Sequence, residues 1–493
     1  MQDTTIAVPV EQKPRFPRSI PFIIGNEAAE RFSFYGMRSI LVTFLVAQFY
    51  GKMFGPEQAA AKANQSTHFF VALAYTLPFV GGIVADWFTG KYRIILWISM
   101  VYCVGHLFLA LFDNNLNLFI SGLVIIAIGA GGIKSCVSAN VGDQFDASNQ
   151  SLLSKVYGWF YFSINAGSMF STVLIPWVYA TYGPKWAFGI PGILMGIATV
   201  IFFMGRKRYV RVPPSGVKKD NFLFISLYAL FNMSKKKKGE SLLDVAKGKF
   251  NPEKVEGIKA VYRVLAVFAF VPIFWAMWDQ SESEWVLQAE KCNRLINLGF
   301  TKFTILPGQV QTVNPVFLLI FIPVFAYGVY PFFEKLGIKT TPLRRIGAGL
   351  VLTALSFVVI ALIQTSIDAG GHPSIWWQVF AFIVLSAGEV LVSITGLEYA
   401  YTQAPISMKS TMSAIWLLTV AAGNLFVGFV NGNIADKGIF SRLTVTGYTN
   451  YFWFFVALIS AFIVVYLFVS PRLKERNYII DPDVIAIPET ENL

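Results

Sequence analysis

Apolar runs about as long as a bilayer is thick recur almost from end to end of this chain, and no other feature restricts its fold so tightly. Twelve can be drawn, over 21–50, 66–88, 94–113, 117–140, 156–180, 186–205, 259–283, 310–333, 345–367, 375–400, 410–431 and 449–471. A helix needs about 20 such residues to cross the hydrocarbon core. Composition agrees: of 493 residues, 55% are hydrophobic and 14% charged, where a soluble domain carries about 25% charged residues. An unusually apolar soluble chain of this length would break into several cores joined by polar linkers. The expectation is an all-α membrane protein.

The runs divide six and six around a basic segment. This predicts a cytoplasmic N-terminus over 1–20, a first six-helix bundle over 21–205, a linker over 206–258, a second bundle over 259–471 and a tail over 472–493. Two six-span halves around such a linker suggest the major facilitator architecture, in which substrate binds near the midplane and access alternates. The polar, proline-bearing stretch Met1 to Pro21 reads as a cytoplasmic end rather than a secretory signal. With both termini inside, roughly 27 Lys and Arg fall on inner loops against 8 on outer ones, as the positive-inside rule requires. The net charge of +12 therefore reads as basic loops, not as nucleic-acid binding. The linker carries the run Lys235 to Lys238 and a short apolar stretch, Phe222 to Phe231. The lysines read as a solvated tether and the apolar stretch as an amphipathic helix lying on the inner leaflet. Cys103, Cys136 and Cys292 are too few and scattered for a disulfide framework or a metal site, and no cofactor is expected.

Ionisable side chains inside hydrocarbon are costly and mark substrate or proton paths. Span one carries Glu27, Glu30 and Arg31 on one helical face, at i, i+3 and i+4, with Arg38 two turns on. Span four carries Lys134, span seven Asp279, span ten Glu389 with Glu398 near its inner end, and His68 begins span two. Taken singly, each reads equally as a structural ion pair. Together they place cations in the first half (Arg31, Lys134) and anions in the second (Asp279, Glu389). A cleft between the halves would then be positive on one wall and negative on the other, a match for a zwitterion with separated ammonium and carboxylate. Protonating Glu27 or Glu30 would free Arg31 or Lys134 for an incoming carboxylate, which is a physical route to proton coupling. Asn165 and Asn314 offer donor and acceptor to a peptide backbone, or else join helices to each other. Tyr35, Tyr75, Trp275 and Trp416 read as pocket walls or as packing.

These blocks resemble the proton-dependent oligopeptide transporter family along nearly the whole chain, and the animal intestinal-type peptide transporters in particular. Glu27-Ala-Ala-Glu30-Arg31-Phe32-Ser-Phe34-Tyr35-Gly36 resembles the family's ExxERFxYYG signature, with Phe34 where tyrosine is usual. Gly82 to Tyr92, Phe160 to Ser168, Phe274 to Gln280, Gln309 to Pro315, and Gly388 to Val390 with Gly396 to Tyr399 are similar to further family blocks. Gly131 to Phe145 is similar to the fourth-span pattern, with Ser135 for a usual proline and Asn140-Val141 for a usual Phe-Gly. The resemblance implies a proton-coupled symporter of di- and tripeptides, not an enzyme, working as a monomer in the bilayer of a plasma membrane, that of a bacterium. By the same resemblance, Arg31 and Lys134 would meet the peptide carboxylate, Glu389 its amino terminus, and Asn165 and Asn314 its backbone. Tyr35, Tyr75, Trp275 and Trp416 would line pockets. Glu27 and Glu30 would be the proton-coupling pair, with Glu30 reaching Lys134; His68 and Asp279 would pair near the outer mouth; Asp86 and Lys91 would form the inner gate.

Other classes fit less well. Relatives carry nitrate, modified amino acids or glucoside-like metabolites, but Glu389 in a pocket calls for a cationic partner. A membrane enzyme would need a nucleophile with its base or a metal cluster, and His68, His106 and His372 are scattered. A channel would show repeated pore rings rather than one dipolar site.

Overall fold

The computed structural model describes residues 15–473 apart from 147, 150, 151, 218, 219, 298, 300 and 404–408. The first 14 residues and the tail from 474, with Lys474 and Arg476, lie outside the described residues. Each expected span overlaps helix among the described residues, the seventh across two helices, and 10 of these helices, or 11 with the bent pair, are long and apolar enough to cross a membrane. The first half holds α1 (Ile20–Met53), α2 (Pro56–Thr89), α3 (Lys91–Leu111), α4 (Leu116–Gly142), α5 (Leu153–Tyr182) and α6 (Pro184–Lys207). A short helix in the linker, α7 (Phe222–Phe231), follows. The second half opens with α8 (Pro252–Phe268) and α9 (Val271–Glu290), one span bent by 47°. Pro272 at the start of α9 and the broken backbone at 269–270 account for that bend. Then come α10 (Pro307–Lys335), α11 (Pro342–Asp368), α12 (Ile375–Ala400), α13 (Lys409–Ala435) and α14 (Thr449–Arg472). Between α9 and α10 a small antiparallel hairpin pairs β1 (Leu295–Asn297) with β2 (Lys302–Thr304), an element the hydropathy pattern does not announce.

Buried apolar side chains fall into two clusters, one for each half. One gathers Ile23, Phe44, Ile126 and Phe188, among others, and the second gathers Phe274, Leu350, Phe382 and Phe455. Large apolar side chains on the outside, such as Trp97, Phe170 and Phe468, stay exposed, which suits a chain whose solvent is lipid. Where helices cross, small residues let backbones touch: a Cβ on Gly81 of α2 would lie 2.9 Å from the Gly131 carbonyl of α4. Pairs of this kind replace the hydrophobic effect, which drives little association once both helices are in hydrocarbon.

Four spans contain a wide π-helical turn, at Val46–Tyr50, Ala85–Thr89, Phe325–Val329 and Val390–Ile394. In the linker, Asn221 caps α7 by accepting from the Phe224 amide at 3.0 Å. Ile225 and Ala229 of α7 are buried with Ala246, Val255 and Ile258, while Phe231 remains 81% exposed. Phe224 stacks on Trp87 at the end of α2, so the linker helix touches both halves. Behind it Asp244 accepts from Lys247 and Lys259, and these ammonium groups hold its carboxyl well below the usual range.

Candidate functional site

Between the halves lies a cavity of about 210 Å³, sealed at one end. The seal is built from α1, α2 and α5 on one side and α9, α10 and α13 on the other. Its centre is Arg38, 1% exposed, whose Nη2 donates to Asp279 Oδ1 at 2.8 Å while its Nε lies 2.8 Å from Glu282 Oε2. Thr43 donates to Glu290 at 3.0 Å, Gln58 to the Ala435 carbonyl at 2.6 Å, and Gln309 to the Val173 carbonyl at 2.9 Å. Lys62 and Asp436 close the rim at 2.8 Å. Gly308 packs directly on the Ser39 carbonyl, leaving no room for a Cβ.

His68 joins this seal through a relay. Its Nδ1 lies 2.8 Å from Asn424 Oδ1, and Asn424 Nδ2 donates to Asp279 Oδ2 at 2.6 Å. Since the amide donates through nitrogen, its oxygen accepts, which puts a proton on His68 Nδ1. His68 Nε2 meets Ser283 Oγ at 2.9 Å and Glu284 Oε2 at 3.3 Å. Glu284 is held in turn by Asn431 and Tyr451, at 2.9 and 2.7 Å. His68 and Asp279 are thus bridged by Asn424, and the carboxylate nearest His68 is Glu284.

From the seal the cavity runs past Tyr35, Tyr75, Asn165 and Trp275 to Asn314, Glu389 and Leu397. Glu389 Oε2 accepts from Trp278 Nε1 and from Asn314 Nδ2, both at 2.7 Å. Both bonds fall on one oxygen, which leaves Oε1 to the cavity. The α12 helix changes to its wide turn right after Glu389, and Ser393 and Ile394 of that turn line the cavity as well. Asn165 donates its amide to the Tyr161 carbonyl at 2.9 Å, so its oxygen is the group left for a ligand.

Three expected site residues stand back from the wall. Arg31 is held by Glu27 at 2.7 Å and Glu30 at 3.3 Å. Lys134 Nζ makes no hydrogen bond among the described residues; it sits 3.5 Å from the centroid of Phe34 and 4.0 Å from that of Tyr75. Trp416 lies behind Trp275, ring centroids 6.1 Å apart. Of the two cations expected on one wall, Lys134 sits behind the rings of Phe34 and Tyr75, and Arg31 is turned to Glu27 and Glu30. The ring faces of Phe34 and Tyr75 attract the ammonium and take the place of a carboxylate partner. At the opposite end of the halves, Lys91 donates to both oxygens of Asp143, at 2.9 and 2.8 Å, and the Asp86 carbonyl accepts from the Ser215 amide.

Glu282, Glu284, Trp278 and Asn424 are the site residues that the sequence reading passed over. The signal for Glu282 was present, since it follows Asp279 by three positions and so shares its helical face. Glu284 carried none, because it stands past the expected end of the span.

Two helical halves enclose a polar cavity sealed at one end, and residues 92–445 match the POT family. The chain belongs to that family. It is 36% identical over 402 residues to "Solute carrier family 15 member 2" of Rattus norvegicus, covering 77% of this chain and 54% of the relative. The chain spans about half the length of the curated relatives it matches. Among solved structures it is similar to the POT family transporter PepTSo, with TM-score 0.85, 37% identity, and 93% of this chain and 99% of that chain covered. It is also similar to a proton dependent oligopeptide (POT) family transporter, with TM-score 0.76, 39% identity, and 91% and 100% covered.

Proposed function

We propose that this chain is a proton-coupled symporter that imports di- and tripeptides by alternating access. One observation carries the reading: a cavity between the halves holds the Glu389 carboxylate on neutral donors only, with a free oxygen for an ammonium, and is sealed at one end by ion pairs made between the halves. Kinship with peptide transporters supports the cargo. Glu389 takes the peptide amino terminus, and Asn165 and Asn314 its backbone. Arg31 and Lys134 receive its carboxylate, with Tyr35, Tyr75, Trp275 and Trp416 around the side chains.

The proton path starts from the same residues. Arg31 is shared by Glu27 and Glu30; protonating either carboxylate releases it toward the peptide. With protons and peptide bound, the charge left in the cavity falls and the open form can close. His68 and Asp279, joined through Asn424, tie this to the outer seal, and Asp86 and Lys91 govern the inner one. Each proton moving down a membrane potential contributes about 2.3 kcal/mol per 100 mV. The chain works as a monomer in the cytoplasmic membrane of a bacterium, both termini inside, with the sealed end facing out. Its segments are 1–20, the bundles 21–205 and 259–471, the linker 206–258 and the tail from 472.

Purified protein in liposomes, offered labelled dialanine with and without an inward proton gradient, tests both parts. Accumulation that depends on the gradient is expected. Equal uptake in both cases would overturn proton coupling, and neither uptake nor competition by any small peptide would overturn the cargo.

A further inference from the structure

The cavity wall carries an unbalanced charge. Three lining side chains are carboxylates, Asp279, Glu282 and Glu389, and among the described lining residues none is lysine, arginine or histidine. Arg38 reaches the first two from behind, one cation between two anions. Glu389 has only neutral donors. Lys134 stays behind Phe34 and Tyr75, and Arg31 is already held by Glu27 and Glu30. A ligand in this cavity therefore meets three carboxyl groups served by a single cation, Arg38. A zwitterionic peptide brings one ammonium for Glu389 and a carboxylate for Arg31 and Lys134, so Glu282 still shares Arg38 with Asp279. Desolvated charge without a partner is expensive, which favours a ligand with a second cation.

We propose that Glu282 is a second cation-recognising group of the transport cavity, and that the cargo it selects is a peptide with a lysine or arginine side chain. This rests on the peptide reading above: Glu389 takes the amino terminus and Glu282 the side-chain cation. Position supports the pairing. Glu282 closes the tight turn Asp279–Glu282 at the sealed end, while Glu389 lies further along the cavity on another helix. The Glu282 oxygen on Arg38 is Oε2, so Oε1 is the one left for the cavity. Trp275, Tyr35 and Tyr75 line the space between, and their faces suit the stem of a basic side chain and its cationic head.

The test uses the full chain in liposomes with the membrane potential clamped, and compares Ala-Lys with Ala-Met, a neutral peptide of similar length. The expected result is a KM for Ala-Lys about tenfold below that for Ala-Met, the size of one charge-assisted bond. Glu282→Gln should abolish that ratio, and Glu282→Asp should keep part of it. If Glu282 served the seal alone, Glu282→Gln would lower kcat for both peptides and leave the KM ratio intact, which would overturn the proposal. Equal KM values in the unmodified protein would overturn it too, with the peptide reading left standing. Uptake of neither peptide would overturn that reading and this inference with it.

Discussion

Arg38→Gln should unlock the sealed end. The guanidinium is 1% exposed and stands between two carboxylates that are also buried, Asp279 at 1% and Glu282 at 6%. Removing one partner of a buried ion pair leaves an uncompensated charge and costs about 3–5 kcal/mol. That cost falls on the sealed form, because separating the halves lets water reach both carboxylates. At about 1.4 kcal/mol per factor of ten, the ratio of sealed to open molecules drops by roughly 10² to 10⁴, enough to invert any preference weaker than the cost itself. Spin labels at Lys52 and Ile439, on opposite halves and clear of the ion pairs, would report this as growth of a longer distance. Cys103, Cys136 and Cys292 would first be replaced. Adding Asp279→Asn and Glu282→Gln should restore much of the short distance, because the stranded charges are then gone. An unchanged distance distribution in Arg38→Gln at neutral pH would refute the reasoning.

Other consequences are as direct. Gly308→Ala puts a Cβ onto the Ser39 carbonyl across the seam; at about 1–3 kcal/mol for overpacking, the same labels should show the open form enriched roughly five- to a hundredfold, and an unaltered distribution would count against that contact. Glu389→Gln should weaken binding of free-amine peptides about ten- to a hundredfold, for the loss of a charged hydrogen bond, and of N-capped peptides far less; equal losses in a competition assay would remove Glu389 from the amino terminus. In the linker, the Asp244 carboxyl is held low by Lys247 and Lys259. A depressed carboxyl stabilises the docked form above its undocked value and loses that contribution as pH falls, so hydrogen-exchange protection over Leu242–Gly248, corrected for intrinsic rates, should hold from about pH 8 to about pH 5 and decline below it. A decline that begins above pH 6 would point to another group.

The spans were legible because a bilayer imposes a length and a polarity on each of them, and both are written in consecutive residues. The broken α8–α9 span was found as readily as the unbroken helices. Which buried charge meets which was not legible. Arg38 read as a structural ion pair without a named partner, and it meets Asp279 and Glu282 across the seam; Lys134 was expected on Glu30 and rests on Phe34 and Tyr75. Spacing along one helix gives the face a residue shares, as it did for Glu27 and Arg31, but partners on other helices depend on how those helices cross. The π-helical turn after Glu389 was invisible for a similar reason. It rotates the face of α12 by the width of one extra residue, and no residue type in Val390–Ile394 signals it.

Asn424 gives the seal a property that a set of separate bonds would lack. Its oxygen is committed to His68 in the opposite half, and its nitrogen to Asp279 and the Val420 carbonyl in its own, so His68 cannot leave while the amide oxygen stays satisfied, and Arg38 cannot leave without stranding the carboxylate that Asn424 holds. Parting at His68 alone would strand the amide oxygen, a buried acceptor, at about 1–3 kcal/mol. Partly open forms are therefore scarce, and the passage is either shut or clear. That all-or-none behaviour is what guards a membrane potential: the fleeting, half-open forms through which stray ions would slip are the ones this single amide makes rare.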